Sequence, residues 1–374
     1  MKKTFLYFCL LFIVQTAFAA DSLYVREQQI PILIDRIDNV LYEMRIPAQK
    51  GDVLNEITIQ IGDNVNLSDI QAIRLFYSGV EAPSRKGEHF SPVTYISSHI
   101  PGNTRKALES YSVRQDEVTT PLSRTVKLTS KQPMLKGINY FWVSIQMKPE
   151  TSLLAKVATT IPNAQINNKP IDITWKGKVD ERHVGIGVRQ AGDDGSAAFR
   201  IPGLVTTNNG TLLGVYDIRY NSSVDLQEKI DIGVSRSTDK GQTWEPMRVA
   251  MTFKQTDGLP HGQNGVGDPS ILVDEKTNTI WVVAAWTHGM GNERAWWNSM
   301  PGMTPDETAQ LMLVKSENDG KTWSEPINIT SQVKDPSWYF LLQGPGRGIT
   351  MQDGTLVFPC LLYTSDAADD LLCV

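Results

Sequence analysis

The residues best suited to ligand chemistry lie around one arginine in the middle of the chain. Arg200 stands in the run Phe199–Gly203, a short apolar strand start that proline and glycine interrupt at once. A guanidinium is permanently charged, planar and two-pronged, so it suits a carboxylate ligand. Three downstream aspartates, Asp217, Asp225 and Asp231, are candidates for a general acid. Asp225 is preferred because it lies in a polar stretch that can reach a ligand, whereas the other two lie within or beside strand runs.

Further polar and aromatic candidates follow downstream. Asp268 lies in a Gly-Asp-Pro-Ser segment, where a plain turn aspartate is the alternative to a ligand contact. Trp286, Trp296 and Trp297 lie close together, and each could line a pocket or pack in the core. His288 has no partner that the sequence identifies.

The elements that must position these residues contain a repeated turn pattern. Ser-x-Asp/Asn-x-Gly-x-x-Trp occurs at Ser237–Trp244 and again at Ser316–Trp323, and in each copy the Asp or Asn can bond to turn amides. Asn209-Gly210 between apolar runs predicts a hairpin. Four strands per unit, with this box between the third and the fourth, are typical of a β-propeller blade, and a third unit begins at Gly348–Met351. The predicted blade strands are Ile201–Val205, Thr211–Tyr216, Ile230–Ser235, Ile271–Val273, Ile280–Trp286 and Leu311–Lys315.

The first half of the chain has a different strand pattern. Ile57, Ile59 and Ile61 alternate with polar residues, which is strand spacing. Short strands that recur with turns between them predict a β-sandwich. The chain is therefore predicted to be all-β, with the sandwich preceding the propeller blades. The other β-rich runs of this half are Leu75–Tyr77, Val93–Ile96 and Tyr140–Ile145.

An Arg-Ile-Pro followed by two such boxes closely resembles the bacterial exo-sialidases. The run Gly137–Val143 resembles the jelly-roll-like module, often called carbohydrate-binding, that precedes the catalytic domain in some gut-bacterial members. The resemblance implies that Arg200 is the first of three arginines that bind the sialic acid carboxylate. It implies that Arg219, nineteen residues further on, lies beside the substrate, and that Asp225, twenty-five residues further on, is the acid/base. Asp268 would contact the 4-hydroxyl or the N-acetyl group.

The resemblance also implies which parts of the family's machinery this sequence lacks. The family propeller has six blades, and residues 196–359 have room for the first two to three. The nucleophilic tyrosine, its glutamate and the other two arginines belong to later blades, and Arg347 is interpreted as a loop residue. A propeller closes by pairing its first and last blades. We therefore expect this chain to form no closed propeller and to be inactive by itself.

The expected activity is hydrolysis of terminal sialic acids from glycoconjugates with retention, through a tyrosyl intermediate. Asp225 would protonate the departing oxygen and then deprotonate water. A trans-sialidase, favoured by aromatic side chains over an acceptor site, and a non-catalytic sialoside-binding lectin are the alternatives. Sialylated glycans are the expected partners, and sugar binding by the first module stays open. We expect neither cofactor nor metal, since Asn318–Gly320 lacks the spaced ligands and terminal glutamate of a calcium loop.

The composition and the N-terminal residues indicate which partners are excluded and where the protein is located. A net charge of −5 without a basic run argues against nucleic acid. Lys2 and Lys3, the apolar run Phe5–Val14 and the small-x-small site Ala17–Ala19 predict a secretory signal peptide, with the mature chain starting near Ala20. We expect a secreted monomer, periplasmic or extracellular, without a membrane span.

The end of the chain breaks the pattern that precedes it. Residues 360–369 match ten codons of a transposon-type sequencing adapter in one frame, so we interpret the tail 360–374 as translated adapter; a genuine polar C terminus is the alternative. Of the three cysteines, Cys9 lies in the signal peptide and Cys360 and Cys373 lie in this tail, so no native disulfide is expected. The predicted boundaries are signal peptide 1–19, β-sandwich 20–178, linker 179–195 and partial propeller 196–359.

Overall fold

The computed structural model describes residues 22–80, 84–85, 88–89, 112–177, 181–291 and 294–363. These residues form two compact units, one ending at Gly185 and the other holding the described residues from Ile186 onward. Most of the regular structure is strand, which confirms the predicted all-β class. Among the described residues, no helix has the length and apolar character that a membrane crossing requires. The predicted signal peptide, the run Val93–Ile96 and residues 364–374 lie outside this part of the chain.

Within its described residues, the first unit contains strands and the 3-10 turn Leu67–Asp69. Its strands are β1 (Ser22–Glu27), β2 (Ile32–Leu33), β3 (Asn39–Ala48), β4 (Leu54–Ile61), β5 (Ile70–Gly79), β6 (Ser84–Arg85), β7 (Glu88–His89), β8 (Val113–Thr119), β9 (Thr125–Thr129), β10 (Gly137–Met147), β11 (Lys156–Val157), β12 (Thr159–Ile166), β13 (Lys169–Pro170), β14 (Asp172–Lys176) and β15 (Arg182–Gly185).

Two sheets of this unit share one apolar core. The six-stranded sheet has the order β14-β1-β3-β10-β5-β8, and the four-stranded sheet has the order β13-β12-β4-β9. Leu23, Met44 and Phe141 of the first sheet and Ile57 and Leu128 of the second are fully buried in the same cluster. Each such side chain contributes about 1.5–3 kcal/mol by its burial. The predicted β-sandwich is confirmed, and the predicted alternation on β4 places its isoleucines in the core. β15, which lies within the predicted linker, pairs with β2 in a third sheet.

The second unit also consists mainly of strands. Its described residues also include two four-residue helices and 3-10 turns at Asp193–Gly195 and His261–Gln263. Its elements are β16 (Ala198–Thr206), β17 (Leu212–Arg219), β18 (Ile230–Ser237), β19 (Arg248–Met251), β20 (Val266–Val273), β21 (Ile280–Trp286), α1 (Ala295–Asn298), β22 (Gln310–Ser316), β23 (Ile327–Asn328), α2 (Thr330–Val333), β24 (Phe340–Gln343), β25 (Gly346–Arg347), β26 (Ile349–Thr350), β27 (Leu356–Val357) and β28 (Cys360–Tyr363).

Two antiparallel meanders, β16-β17-β18-β19 and β20-β21-β22-β23, follow each other in the chain. Both box motifs fall between the third and fourth strand of their meander, as predicted. Val215 and Val234 of the first meander and Val282 and Val314 of the second are buried in one cluster, so the two sheets pack together. This is the arrangement of neighbouring propeller blades.

The boxes are hydrogen-bonded turns. Asp239 accepts hydrogen bonds from the backbone N–H and the hydroxyl of Thr243. The Ser237 hydroxyl accepts from the N–H of Gly241, and Asn318 accepts from the N–H of Thr322 in the second box. These bonds satisfy the turn internally, so the boxes shape the blades.

Short strands follow the second meander. β25 pairs in parallel with β20, β26 pairs with β27, and β24 pairs with β28. The strand β26 (Ile349–Thr350) lies inside Gly348–Met351, where the sequence predicts the start of a third unit. Cys360–Tyr363, the start of the segment interpreted as adapter, forms β28.

Candidate active site

A bulge in the first strand of the first meander sets the direction of Arg200. Arg200 pairs with Asp217, but the next regular pair is Gly203 with Val215, so Ile201 and its proline form an irregularity. Ile201 has a φ of +56°, in the left-handed region that side chains rarely occupy. A Cβ added at Gly203 would lie 2.1 Å from the carbonyl oxygen of Gly346, so only glycine fits there.

The second meander repeats this bulge at Asp268. Gly267 pairs with Ala285 and Ser270 pairs with Val283, so Asp268 and its proline again form the irregularity. Asp268 has a φ of +57°, close to the value at Ile201. Asp268 therefore takes in the second blade the position that Ile201 takes in the first.

The structure brings Arg200, Arg219 and Asp225 together. Nη1 of Arg200 lies 2.7 Å from Oδ1 of Asp225, and Nη1 of Arg219 lies 2.6 Å from the same oxygen. Arg219 ends β17 and is 1% exposed, whereas the side chains of Arg200 and Asp225 are 41% and 36% exposed. Two cations thus converge on a carboxylate that solvent can reach.

Opposing influences set the pKa of Asp225. Partial burial is the largest single influence and raises the pKa of this carboxyl, but the hydrogen bond and charge of Arg219, with the charges of Arg200 and Arg294, outweigh it. The net result is a pKa below the usual aspartate value, so Asp225 is ionised without a ligand.

The other two acid candidates of the sequence are buried. Asp217 is inaccessible to solvent, and Asp231 is 3% exposed. Asp231 accepts a hydrogen bond from the Tyr220 hydroxyl and lies 2.9 Å from Nε2 of His261. Of the three aspartates, Asp225 is the one that a ligand can reach.

The buried carboxylate of Asp217 links two of the predicted ligand residues, Arg219 and Asp268. Its Oδ2 accepts hydrogen bonds from Nε and Nη2 of Arg219 at 3.0 and 2.7 Å, and its Oδ1 accepts one from the N–H of Asp268 at 2.8 Å. Burial, followed by the charge of Asp268, raises the pKa of Asp217 to about 7, against the lowering influence of Arg219. The pKa of Asp268 is also raised, chiefly by burial.

Arg294 is a site residue that the sequence did not reveal. Its Nη1 lies 4.0 Å from Oδ2 of Asp225, and its guanidinium lies 5.5 Å from the ring centre of Trp296. Trp296 meets Trp297 edge to face, and Trp297 is 62% exposed. Arg294 directly precedes α1, seventy-five residues after Arg219, so no short-range signal links it to Asp225.

The remaining candidates have structural partners. Trp286 is buried and stacks on Phe253 at 4.3 Å. His288 is buried, with Nδ1 2.7 Å from Oδ1 of Asn264, which is the partner that the sequence left unidentified. Arg347 lies in β25 and pairs with Ile271 of β20.

The acidic turn of the second box is fully engaged by protein groups. Asp319 accepts hydrogen bonds from the hydroxyls of Thr207 and Thr211 and from Nη2 of Arg236. Within the described ranges, no group of three or more His, Cys, Asp or Glu side chains could hold a metal ion.

Fold and site define a class: an all-β protein whose box-containing propeller blades present paired arginines to an aspartate. Residues 20–170 match the family model for the N-terminal domain of BNR-repeat neuraminidase, and residues 201–372 match the BNR repeat-like domain. The chain belongs to the sialidase family with BNR repeats and a BNR-associated N-terminal domain.

Similar proteins carry the same assignment. The chain is 60% identical over 365 residues to a sialidase of Bacteroides fragilis, an alignment that covers 96% of this chain and 67% of that protein. It is 36% identical over 169 residues to a sialidase of Paraclostridium sordellii, covering 43% of this chain and 38% of that protein. The solved structure of the Hadza microbial sialidase Hz136 is 62% identical, with a TM-score of 0.79, over 91% of this chain and 66% of that one. The chain thus spans about two thirds of two of these proteins and less of the third.

Proposed function

We propose that this chain provides the sialic acid site and the acid/base of an exo-α-sialidase that removes terminal sialic acids from glycoconjugates with retention. Family membership supports the class of reaction. The observation that carries the assignment of residues is the convergence of Arg200 and Arg219 on the accessible Asp225 carboxylate.

The geometry suggests how a ligand would activate Asp225. Without a ligand, Asp225 occupies the guanidinium of Arg200. A substrate carboxylate suits the same two-pronged donor and would take it over. Asp225 would then lose a cation and gain an anionic neighbour, and both changes raise its pKa. The protonated form could donate to the glycosidic oxygen, and the ionised form could later activate water. No residue of this sequence is assigned as the nucleophile.

Binding is the first test, because it examines the residues assigned here and does not require the nucleophile. Isothermal titration of the purified chain with N-acetylneuraminic acid should show binding, and Arg200→Ala should weaken it about a hundredfold or more. Arg248→Ala is the matched control, since Arg248 is a half-exposed arginine of the same unit that pairs with Glu245. No binding by the wild-type chain, or equal loss in both variants, would contradict the proposal.

Activity is best tested in a complete enzyme context. A chimera would carry residues 20–359 of this chain in place of the matching part of the Bacteroides fragilis sialidase. It should release the aglycone of a fluorogenic sialoside, and its first product by proton NMR should be the α-anomer of sialic acid. Asp225→Ala should slow hydrolysis of a natural sialoside at least a hundredfold. Binding without hydrolysis would instead favour the sialoside-binding lectin.

Transfer to a sugar acceptor is a second candidate, and one observation favours it. Trp297 presents an exposed indole beside Trp296, which contacts Arg294 near Asp225. Aromatic faces are suited to stacking on sugars. Incubating the chimera with a sialoside and lactose would distinguish the two: sialyllactose as the main product indicates transfer, and free sialic acid indicates hydrolysis.

We also propose a secreted location, from the predicted signal peptide. N-terminal sequencing of the protein purified from its native host should find a start near Ala20. A start at Met1 would contradict this location.

A further inference from the structure

Asp217 is a buried carboxylate with every hydrogen bond directed at the candidate site. It lies in the middle of the sheet on β17 and has no solvent exposure. One of its oxygens receives two N–H groups of Arg219, and the other receives the N–H of Asp268. Burying a carboxylate without hydrogen-bond partners costs several kcal/mol, so the three N–H groups are needed to keep Asp217 in this position.

These bonds join two blades at the bulge. Arg219 belongs to the first meander, and Asp268 belongs to the second, where its backbone adopts the left-handed conformation. The carbonyl of Asp268 accepts a hydrogen bond from the side chain of Gln343, which is itself buried. The Asp268 peptide is therefore held from both sides, with Asp217 holding its N–H. A Cβ at the neighbouring Gly267 would stand 3.4 Å from both Asp217 oxygens, so this glycine lies directly against the carboxylate.

We propose that Asp217 is a positioning residue that fixes Arg219 and the Asp268 bulge relative to each other, so that both side chains face one sialic acid. The inference rests on the function proposed above. Asp217 has no surface from which it could touch the sugar, so it acts through Arg219 and Asp268. Arg219 then has its Nη1 left to hold Asp225, while its Nε and Nη2 are held by Asp217.

The charges facing Asp217 make its ionisation sensitive to the site. Burial raises the pKa of Asp217 most, and the charge of Asp268 on β20 raises it further. Arg219, on the same strand as Asp217, lowers it, and the net pKa is about 7. Asp225 and Arg200 lie behind Arg219 and share the same network. A proton on Asp217 weakens the bonds that its oxygen accepts: the two Arg219 bonds if Oδ2 is protonated, or the Asp268 bond if Oδ1 is protonated. Loss of either the Arg219 or the Asp268 bond is expected to loosen ligand binding below this pKa.

Asp217→Asn is the informative variant, because the amide keeps the volume but its nitrogen cannot accept a hydrogen bond. Asp231→Asn is the matched control: Asp231 is a buried aspartate on the neighbouring strand, but its partners are Tyr220 and His261. The first readout needs no ligand. In NMR spectra of the full chain, the Arg219 Nε–H and the Asp268 N–H should exchange slowly with water in the wild type and in the control. In Asp217→Asn, whichever of the two meets the amide nitrogen should exchange at least tenfold faster.

The second readout is titration with N-acetylneuraminic acid between pH 5 and 8. Asp217→Asn should bind about tenfold to a hundredfold more weakly than the wild type near pH 8, and the control should bind within about threefold. The wild type should also lose affinity below pH 7 more steeply than the variant does. Asp217→Glu, which keeps the acceptors, should recover slow Arg219 exchange if the longer side chain is accommodated.

The possible results distinguish failure of the positioning role from failure of the proposed sialidase function. Unchanged exchange of both the Arg219 Nε–H and the Asp268 N–H in Asp217→Asn would overturn the positioning role whether or not ligand binds. Fast exchange in that variant, in a chain whose wild type binds no sialic acid, would keep the positioning role and overturn the proposed function. Equal loss of binding and of Arg219 protection in the Asp231 control would show a general structural effect and overturn the inference.

Discussion

Asp225 pairs with Arg200, the residue that we propose binds the substrate carboxylate. Arg200 and Arg219 both contact its Oδ1, so binding of an acidic sugar in this way would exchange one carboxylate for another at Arg200. Such an exchange costs less than burying a new charge, because the arginine is already paired and partly desolvated. It also couples ligand binding to the protonation of the proposed acid.

Arg200→Lys tests whether the guanidinium shape matters beyond its charge. Lysine keeps the cation but offers a compact point charge in place of a planar fork. We expect N-acetylneuraminic acid to bind about tenfold more weakly, compared with the larger loss for Arg200→Ala. Calorimetry of the two variants at one pH measures this. Equal affinities of Arg200→Lys and the wild type would mean that Arg200 contributes charge alone.

Asp217 should also affect how stability depends on pH. Its pKa is about 7 in the folded chain and about 3.8 when unfolded, so between these values the folded state binds the proton more tightly. This stabilising contribution is complete below about pH 4 and is lost as the pH rises through 7, by up to about 4 kcal/mol. Asp217→Asn should remove that loss. Urea unfolding at pH 4.5 and 7.5 checks it, and parallel changes in wild type and variant would refute it.

At the scale of elements, the spacing of apolar residues and the residue types of the turns predicted more of the fold than of the site. Alternating isoleucines identified β4, and the boxes located the third and fourth strand of each blade, because these signals are local. The bulges were not predicted, since a left-handed residue such as Ile201 contradicts its own propensity and is imposed by packing. The contacts of Asp217 were not predicted either, because its partner in the second blade, the Asp268 amide, lies fifty-one residues away.

The second box should stabilise the first blade through Asp319. Its carboxylate accepts from Thr207 and Thr211 in the first hairpin and pairs with buried Arg236. Asp319→Asn keeps the left-handed turn but weakens these charge-assisted bonds, so we expect a loss of about 2 kcal/mol in the free energy of unfolding. Asp239→Asn is the control, because the first box uses its aspartate within its own turn, and Asn318 already fills the equivalent position.

Urea denaturation of the two variants measures the difference in their free energies of unfolding, provided that the free energy depends on urea concentration with the same slope in both. A smaller loss in Asp319→Asn than in Asp239→Asn would mean that the contact between the box and the first hairpin contributes little. The expected order is the reverse, because Asp239 is exposed and serves the turn alone.

At the scale of the molecule, each unit has its own hydrophobic core. Among the described residues, the members of the sandwich cluster lie at or before Val184, and those of the largest cluster of the second unit lie at or after Val205. Cores that share no residues can unfold separately. The aromatic side chains provide separate probes, since Trp142 stacks on Phe76 at 4.0 Å in the first unit and Trp286 stacks on Phe253 in the second.

We therefore expect residues 20–185 to fold when produced alone. The fragment should show a cooperative urea transition and the near-ultraviolet dichroism of an ordered Trp142, because every described member of the clusters around β10 lies within it. Ile59→Ala in this fragment should lower the free energy of unfolding by about 2–5 kcal/mol, since Ile59 is fully buried between the sheets. Ile138→Ala is the control, as Ile138 is 43% exposed and should cost far less. A fragment without a cooperative transition, or equal effects of the two substitutions, would show that the first unit depends on the rest of the chain for its fold.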